Sequence, residues 1–453
     1  MLRDELIGEF FDHTWALKES RAYYEGTWRP AAIGISTPPQ MKRLTASVGY
    51  PRLYCDTLAE RLEVQGFRVG ETGGDSTLWD WWSANNLDLE STLGHTDALV
   101  DGRAYVTISA PSKDAGGPMD VPVIRVEPAS ALYAKIDPLS RQVTEAVRVL
   151  ADDDNQEQQS CTVYDRWKTV QWEKTRGQWR RVRVIRHGLG VVPVVPLANR
   201  TRLSDLDGES EITPELRSVT DAASRITMNM QSTAEMMAVP QRILFGVSPD
   251  DIGANDPNGD GMGHFAAYEA RILAFADPDA KATQFSAAEL RNFTDALREL
   301  AKQAAAYTGL PPQYLHAGSG ESPASAEAIR AAESRLVENA GRKAKVFGGA
   351  WEQVMRVAWM VMHPGESLPQ EFYRLETSWR DPGTPTFAAK ADAVTKLYGG
   401  GAGIIPLERA RADLGYTIAE REEMSRWDKE ADPFAGIGLP PELTAYDAAA
   451  VSG

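Results

Sequence analysis

Apolar residues recur at helical spacing between residues 286 and 308. Ser286 and Glu289 form a capping box at the start of this segment. Gly309 stands where a helix ends, and Pro311-Pro312 prevents continuation. The apolar positions that define the helical face are Leu290, Phe293, Leu297, Leu300, Ala304 and Tyr307. The pattern therefore predicts one helix followed by a Gly/Pro-rich loop.

A second, unusually long helix is predicted over residues 323–363. Ser322 and Pro323 suit its N-cap and first position, and His363-Pro364-Gly365 ends it. At ~1.5 Å per residue it would span roughly 60 Å, which exceeds the size of most compact domains. A helix of that length needs a partner along its surface, so the pattern indicates a subunit built for assembly.

The rest of the chain combines helical and strand-like segments, which predicts an α+β fold. Residues 1–100 read mainly as helices, among them an amphipathic one over Leu53–Val64 that Gly66 closes. Thr213-Pro214 opens another helix, and residues 386–428 form a small helical group. Strands are predicted at Ala104–Ser109, Val121–Val126, Thr144–Leu150, Cys161–Trp167, Thr169–Lys174, Trp179–Arg186, Arg242–Phe245, Arg271–Phe275 and Phe372–Trp379.

Composition narrows the classes of function. The 453 residues suggest about three domain-sized units of ~150 residues each. The net charge of −16 argues against a protein that grips nucleic acid by neutralising phosphates. Cys55 and Cys161 are far apart and predict reduced thiols, neither a disulfide framework nor a zinc site. No stretch approaches ~18 uninterrupted apolar residues, so no transmembrane span and a soluble protein are expected.

No residue set predicts catalysis, a cofactor or a metal. The six histidines are scattered singly, and the glycine clusters match neither the dinucleotide-binding nor the P-loop pattern. Asp256–Gly261 matches the first half of a calcium loop, but position twelve is Ala267, so a plain turn is the favoured interpretation. A bound cation there, and a catalytic set assembled from distant residues, stay open as alternatives.

Two other groups admit a functional and a structural interpretation. Trp79, Trp81 and Trp82 could stack on bases, but their helical spacing favours a place in the core. A basic cluster on the long helix could face a polyanion, although nearby Glu338 and Glu352 favour a solvated or intersubunit face. That cluster consists of Arg342, Lys343 and Lys345.

Several segments, taken in order, resemble the portal (head-to-tail connector) proteins of tailed phages. The resemblance covers roughly residues 15–380, and no single motif carries it alone. The matching segments are Tyr23–Gly26, Leu58–Phe67, Trp82–Asp88, Asp101–Val106 and Gly190–Asn199.

The resemblance implies a non-enzymatic subunit of a ring, usually of twelve copies, at one vertex of the capsid. It implies a wing, a two-helix stem, a small α/β clip, a channel-facing tunnel loop, a long kinked wing helix and a short helical crown. The corresponding ranges are 1–205 for the wing, 206–238 and 286–308 for the stem, 239–285 for the clip, 309–322 for the tunnel loop, 323–384 for the long helix and returning strand, 385–432 for the crown and 433–453 for a mobile tail.

The resemblance also implies partners and a location. Double-stranded DNA would pass through the channel without sequence specificity, past a predicted tunnel-loop set of Gln313, Tyr314, His316, Ser319 and Glu321. Terminase, major capsid and scaffold proteins and head–tail adaptors are the expected protein partners, with no membrane. The protein would assemble in the host cytoplasm and reside in the virion. A capsid or baseplate protein without a channel, or a packaging-associated hydrolase, stays as the alternative.

Overall fold

The architecture is described from a computed structural model. The residues that the structure describes are 2–29, 46–70, 76–112, 118–151, 159–175, 177–238, 242–246, 272–275, 278–279, 290–315, 326–383, 387–399, 403–416 and 418–431. Asp256–Gly261, the capping box at Ser286 and the helix start at Ser322 lie outside them.

Helices and strands alternate along the chain, as expected for a mixed fold. The helices are α1 (Leu2–Glu25), α2 (Tyr50–Ala59), α3 (Ser76–Ala84), α4 (Leu87–Asp101), α5 (Pro214–Ala238), α6 (Leu290–Thr308), α7 (Pro312–Leu315), α8 (Ala326–Met362), α9 (Phe387–Tyr398), α10 (Leu407–Leu414) and α11 (Ile418–Ala431), with a 3-10 turn at Gln370–Arg374. The strands are β1 (Val64–Val69), β2 (Arg103–Ser109), β3 (Val123–Pro128), β4 (Leu132–Ile136), β5 (Val143–Ala151), β6 (Gln159–Tyr164), β7 (Lys168–Thr175), β8 (Gln178–Arg186), β9 (Val194–Ala198), β10 (Arg242–Phe245), β11 (Ile272–Phe275) and β12 (Leu375–Trp379).

The chain divides into two compact units. Unit 1 comprises Met1–Arg21, Cys55–Glu211 and Ser325–Gly453, and unit 2 comprises Ala22–Tyr54 and Ile212–Ala324. Within unit 1 the strands form a three-stranded sheet in the order β3-β2-β9, a five-stranded meander β4 to β8 and the pair β1-β12.

The core of unit 1 is built around α8, which contacts β2, β9 and β12. Its side chains Leu336, Phe347 and Trp351 are fully buried, because they recur on one side of the helix. Gly348 allows close approach, since a Cβ there would lie 3.1 Å from Nε1 of Trp379. The predicted long helix is thus observed over 37 residues, about 55 Å at ~1.5 Å per residue.

The tryptophan group belongs to this core. Trp82 is 0% exposed and Trp81 is 5% exposed. Trp79 stacks on Trp82 with ring centroids 5.9 Å apart, and Trp82 meets Trp351 edge to face. Packing among aromatic rings explains these residues, and the core interpretation is confirmed for Trp81 and Trp82.

The five-stranded meander is an up-and-down antiparallel sheet. Leu6 and Phe10 of α1 pack with Val147, Cys161 and Val163 in one apolar cluster. The strand pattern predicted this sheet well, apart from β4, which the sequence analysis did not identify.

Unit 2 contains two long helices that pack together, α5 and α6. Leu216, Val219 and Ala223 of α5 are buried at helical spacing. The short strands β10 and β11 pair in parallel, with Arg242 opposite Ile272.

One prediction about unit 1 was wrong. The helix expected over Leu53–Val64 ends at Ala59 as α2, and Val64–Val69 is a strand. The reason is tertiary, since β1 pairs antiparallel with β12, with Phe67 opposite Thr377. The 3-10 turn also takes the first residues of the strand predicted at Phe372–Trp379.

Candidate functional site

The segment after α6 is where the tunnel loop was predicted. Gly309 adopts φ +76°, a left-handed conformation that suits glycine, and its amide donates to the Ala305 carbonyl at 2.8 Å. The Thr308 hydroxyl donates to the Ala304 carbonyl at 2.8 Å and accepts from the Leu310 amide at 3.2 Å. These bonds cap the helix end and fix where the chain leaves it.

Two of the five predicted loop residues lie in the described chain. Gln313 and Tyr314 belong to the single turn α7, where the Tyr314 amide donates to the Pro311 carbonyl at 3.0 Å. Tyr314 is 39% exposed and Gln313 is half-buried. His316, Ser319 and Glu321 lie outside the described residues.

The apolar side of α6 is only partly covered within one subunit. Ala301, Ala304 and Ala305 near its end are buried. In contrast, Leu290 is 39% exposed, and Phe293, Leu297 and Leu300 are half-buried. Charged residues on the same helix pair along it, as in Arg298 with Asp295 at 3.0 Å. The amphipathic pattern thus leaves an apolar strip on the N-terminal half of α6.

The three basic residues predicted as one cluster on α8 have different environments. Arg342 and Lys345 are exposed, and Arg342 donates to Oδ1 of Asn339. Lys343 is only 8% exposed and forms an ion pair with Glu211. The charge of Lys343 is therefore matched inside the subunit, and a channel or intersubunit role stays a prediction for Arg342 and Lys345.

A polar network surrounds the buried ammonium. Nζ of Lys343 donates to Oδ1 of Asn199 at 2.6 Å. Nδ2 of Asn199 donates to the Glu209 carbonyl at 2.7 Å and to Oε1 of Glu211 at 2.9 Å. The Glu211 amide in turn donates to the Leu99 carbonyl at 2.8 Å. These bonds fix the segment that leads into α5.

Sequence reasoning missed the role of Asn199 and Glu211. Asn199 closes the Gly190–Asn199 segment that carried part of the resemblance, which was the available signal. Glu211 stood in an acidic stretch without any pattern that linked it to Lys343. Only the fold brings residues 199, 211 and 343 together.

Burial holds one histidine and two cysteines in the core of unit 1 neutral. Burial lowers the pKa of His95 from 6.5 to about 4. Burial raises the pKa of the Cys161 thiol to about 12 and that of the Cys55 thiol well above its usual value. Such thiols are poor nucleophiles because the reactive form is the thiolate. Both cysteines are free, as the sequence predicts.

The described residues also bear on metal binding and on membrane insertion. Among those residues, no group of three or more His, Cys, Asp or Glu side chains is placed to hold a metal ion. None of the helices described above combines the length and apolarity that crossing a membrane requires.

Comparisons with known proteins agree on one family. The family model described as phage portal protein, SPP1 Gp6-like, matches residues 4–433. A portal protein of Mycobacterium phage L5 is 55% identical over 442 residues, which cover 97% of this chain and 90% of the relative. A portal protein of Mycobacterium phage D29 is 56% identical over 440 residues, which cover 96% of this chain and 90% of the relative.

A solved structure, described as the neck of a native GTA particle computed with C12 symmetry, is also similar. Its TM-score is 0.42 at 13% identity, and the match covers 85% of this chain and 96% of that chain. The function that the resemblance implied, that of a portal subunit, is confirmed by the family model and the two mycobacteriophage relatives. The chain belongs to the SPP1 Gp6-like family of phage portal proteins.

Proposed function

We propose that copies of this chain form a ring at one capsid vertex, through which double-stranded DNA enters and leaves the head. Family membership gives the class of protein, a structural component of the phage particle. The observation in the subunit that carries the proposal is the apolar strip on α6. Leu290, Phe293 and Leu297 would gain their cover from a neighbouring copy.

The strip supports assembly for an energetic reason. Each apolar side chain moved from water into an interface contributes roughly 25 cal/mol per Å² of apolar surface buried. In a ring every copy presents the same helix side, so each interface between neighbours is stabilised by this burial. Closure of the ring then leaves no copy with an uncovered strip.

The proposed regions follow the sequence analysis. Unit 1 would supply the long helix, the crown and most of the wing, whose residues 22–54 belong to unit 2. Unit 2 would also supply the stem helices, the clip and the tunnel loop. In this proposal α5 and α6 are the stem helices, and the segment that follows Gly309 reaches toward the channel.

The charge balance suits a channel that lets DNA slide. With a net charge of −16, the chain offers few positions where phosphates would bind tightly. Gln313 and Tyr314 carry no positive charge, so their contact with DNA would be weak and independent of sequence. The ring would dock terminase during packaging and head–tail adaptors afterwards, with capsid and scaffold proteins around it.

Electron microscopy of the purified full-length chain tests the ring directly. Class averages with a central hole and a fixed number of copies are expected. A sheet or closed shell would instead indicate the capsid or baseplate alternative. Nuclease or nucleotidase turnover that a chelator abolishes would favour the packaging hydrolase, although the family comparisons favour neither alternative.

A further inference from the structure

A row of four valines crosses the meander from the part that α1 covers to the part that α1 leaves open. Val147 pairs with Val163, Val163 with Val170, and Val170 with Val184. Directly paired residues of neighbouring strands share one face of a sheet. The exposed fraction along this row rises from 0% at Val147 and 8% at Val163 to 40% at Val184. The cover that α1 provides therefore ends before the sheet does.

Beyond α1 this face forms an open trough of about 660 Å³. Its floor includes Val170 and Val184, and its rim carries four cationic side chains and one carboxylate, Asp165. The cations are Arg3, Lys168, Arg181 and Arg186. The trough thus combines an apolar floor with a positive rim.

Two of the rim cations have no counter-charge in the part of the chain that the structure describes. Arg3 pairs with Asp4, and Lys168 lies 3.8 Å from Asp165. Neither Arg181 nor Arg186 has a carboxylate within 4.0 Å among the described residues. A partner that brings carboxylates would therefore meet two guanidinium groups that are free to bind them.

A bulge sets the direction of the arginines on β8. Trp172 pairs with Arg181 while Gln171 pairs with Arg183, so Val182 is the extra residue. Arg181 consequently lies on the trough face, and Arg180 and Arg183 lie on the opposite face.

The positive charge is a local reversal of the chain's balance. Residues 159–186 contain eight Lys or Arg and two Asp or Glu, a net charge of +6, in a chain of net charge −16. Duplex DNA could bind the cationic rim, but its charged phosphates would then lie against the apolar valine floor. A protein segment that carries both acids and apolar side chains fits both parts of the trough.

The chain itself presents such a segment in α4. Residues 87–101 contain four acidic residues and no basic one. Leu89 and Leu93 are 55% and 54% exposed, and their spacing places them on one stripe of the helix. Asp88 and Glu90 precede and follow Leu89 in sequence and lie about 100° to either side of it around the helix, so acidic residues flank the apolar stripe.

We propose that the α4 stripe of one copy docks into the trough of the next copy. Leu89 and Leu93 would lie on the valine floor, while Asp88 and Glu90 would pair with Arg181 and Arg186. Two different surfaces in contact make a head-to-tail interface, which closes into a ring when repeated by rotation. This inference rests on the proposed ring and names one of its interfaces.

Charge reversal of the full-length chain tests the interface. The variant R181E/R186E should raise the concentration of half-assembly by about tenfold or more, because like charges would then face each other. Mass photometry across a dilution series measures this concentration. The matched control R180E/R183E changes the same strand on its other face and should assemble like the wild type.

A compensating variant separates pairing from general damage. D88N/E90R reverses the charge beside the α4 stripe. In the wild type Nε1 of Trp82 donates to Asp88 at 2.8 Å, and the amide oxygen of the D88N side chain keeps an acceptor for this bond. Combined with R181E/R186E it should return half-assembly to within about threefold of the wild type. Far-UV circular dichroism spectra should agree among all variants, since the altered residues are at the surface of the subunit.

Several results would overturn the inference. Undiminished assembly of R181E/R186E rules out the interface while leaving the proposed ring intact, and so does a failure of D88N/E90R to compensate. Loss of duplex-DNA binding with normal assembly would mean that the trough faces nucleic acid. If the wild type forms open chains instead of rings, and R181E/R186E abolishes these chains, the interface is supported and the ring is rejected. A wild type that never self-associates rejects both.

Discussion

Nε1 of Trp351 donates a hydrogen bond of 2.9 Å to Nε2 of His95. Nδ1 of His95 lies 3.2 Å from the Leu62 carbonyl, so Nδ1 carries the proton. The imidazole also stacks on Phe347, with ring centroids 5.1 Å apart. A neutral, fully bonded histidine therefore joins α8 to α4 and to the segment before β1.

The first prediction concerns pH. Burial lowers the pKa of His95 to about 4 in the folded chain, whereas the ordinary pKa of this imidazole in the unfolded chain is 6.5. The contribution of His95 to stability is therefore full above pH 6.5 and is lost as the pH falls toward 4, by at most about 1.4 kcal/mol per pH unit. The variant H95Q can keep both hydrogen bonds without titrating, so its melting temperature should fall less steeply with pH.

His13 does not disturb this comparison. Burial lowers its pKa to about 4 as well, but it is present in both proteins and contributes equally. Parallel curves of melting temperature against pH for the wild type and H95Q would contradict the role assigned to His95.

The second prediction concerns the buried lysine. Lys343→Met removes the ammonium group that pairs with Glu211 and donates to Oδ1 of Asn199, and breaking a buried ion pair costs about 3–5 kcal/mol. Thermal denaturation should show a large loss of stability. Lys345→Met is the matched control on the exposed side of α8 and should change stability by less than about 0.5 kcal/mol. Equal effects of the two changes would mean that the polar network contributes little.

The third prediction separates backbone strain from close approach. Gly208 and Gly177 have similar positive φ angles, +82° and +80°. A Cβ at Gly208 would lie 2.1 Å from the Gly102 carbonyl oxygen, whereas nothing lies within 4 Å of one at Gly177. Both alanine variants carry the φ cost of about 1 kcal/mol, so Gly208→Ala should melt at a clearly lower temperature. Similar melting temperatures would show that residues 102 and 208 can move apart.

The fourth prediction tests the strip on α6. Leu297→Glu places a charge on the half-buried side of the helix, where the proposed neighbour would have to desolvate it. Ring assembly should weaken by about tenfold or more while the circular dichroism of the subunit stays the same. Asn292→Glu adds the same charge at an exposed position of α6 and should assemble normally. Rings formed equally by both variants would place the strip outside the interface.

The fifth prediction tests the tunnel loop. Deletion of Gly309–Ser322 should leave rings intact and impair DNA packaging, because in the proposed assignment the loop contacts DNA and not the neighbouring copy. A Gly-Ser linker of the same length in place of the loop keeps the number of residues between α6 and α8 and should show the same defect. Packaging is measured as nuclease-protected DNA, and failure of both variants to form rings would count against the assignment.

Local pattern alone determined much of this protein. The hydrophobic period predicted α5, α6 and the long α8, because burial of one helix side requires a period near 3.6 residues. Alternation predicted β5 to β8, since antiparallel neighbours in a meander are close in sequence. The ordered segments between Tyr23 and Asn199 led to the portal family, which the comparisons confirmed.

The tertiary structure determined the features that depend on contacts between residues far apart in sequence. Val64–Val69 became a strand because β12, more than 300 residues later, supplies its hydrogen bonds, and no local signal contains that pairing. Lys343 resembled its exposed neighbours Arg342 and Lys345 in sequence, but Asn199 and Glu211 make its burial tolerable. The sequence by itself determined the elements and the family, whereas the fold determined which charges are buried and which remain at the surface, because the cost of burying a charge depends on what lies beside it.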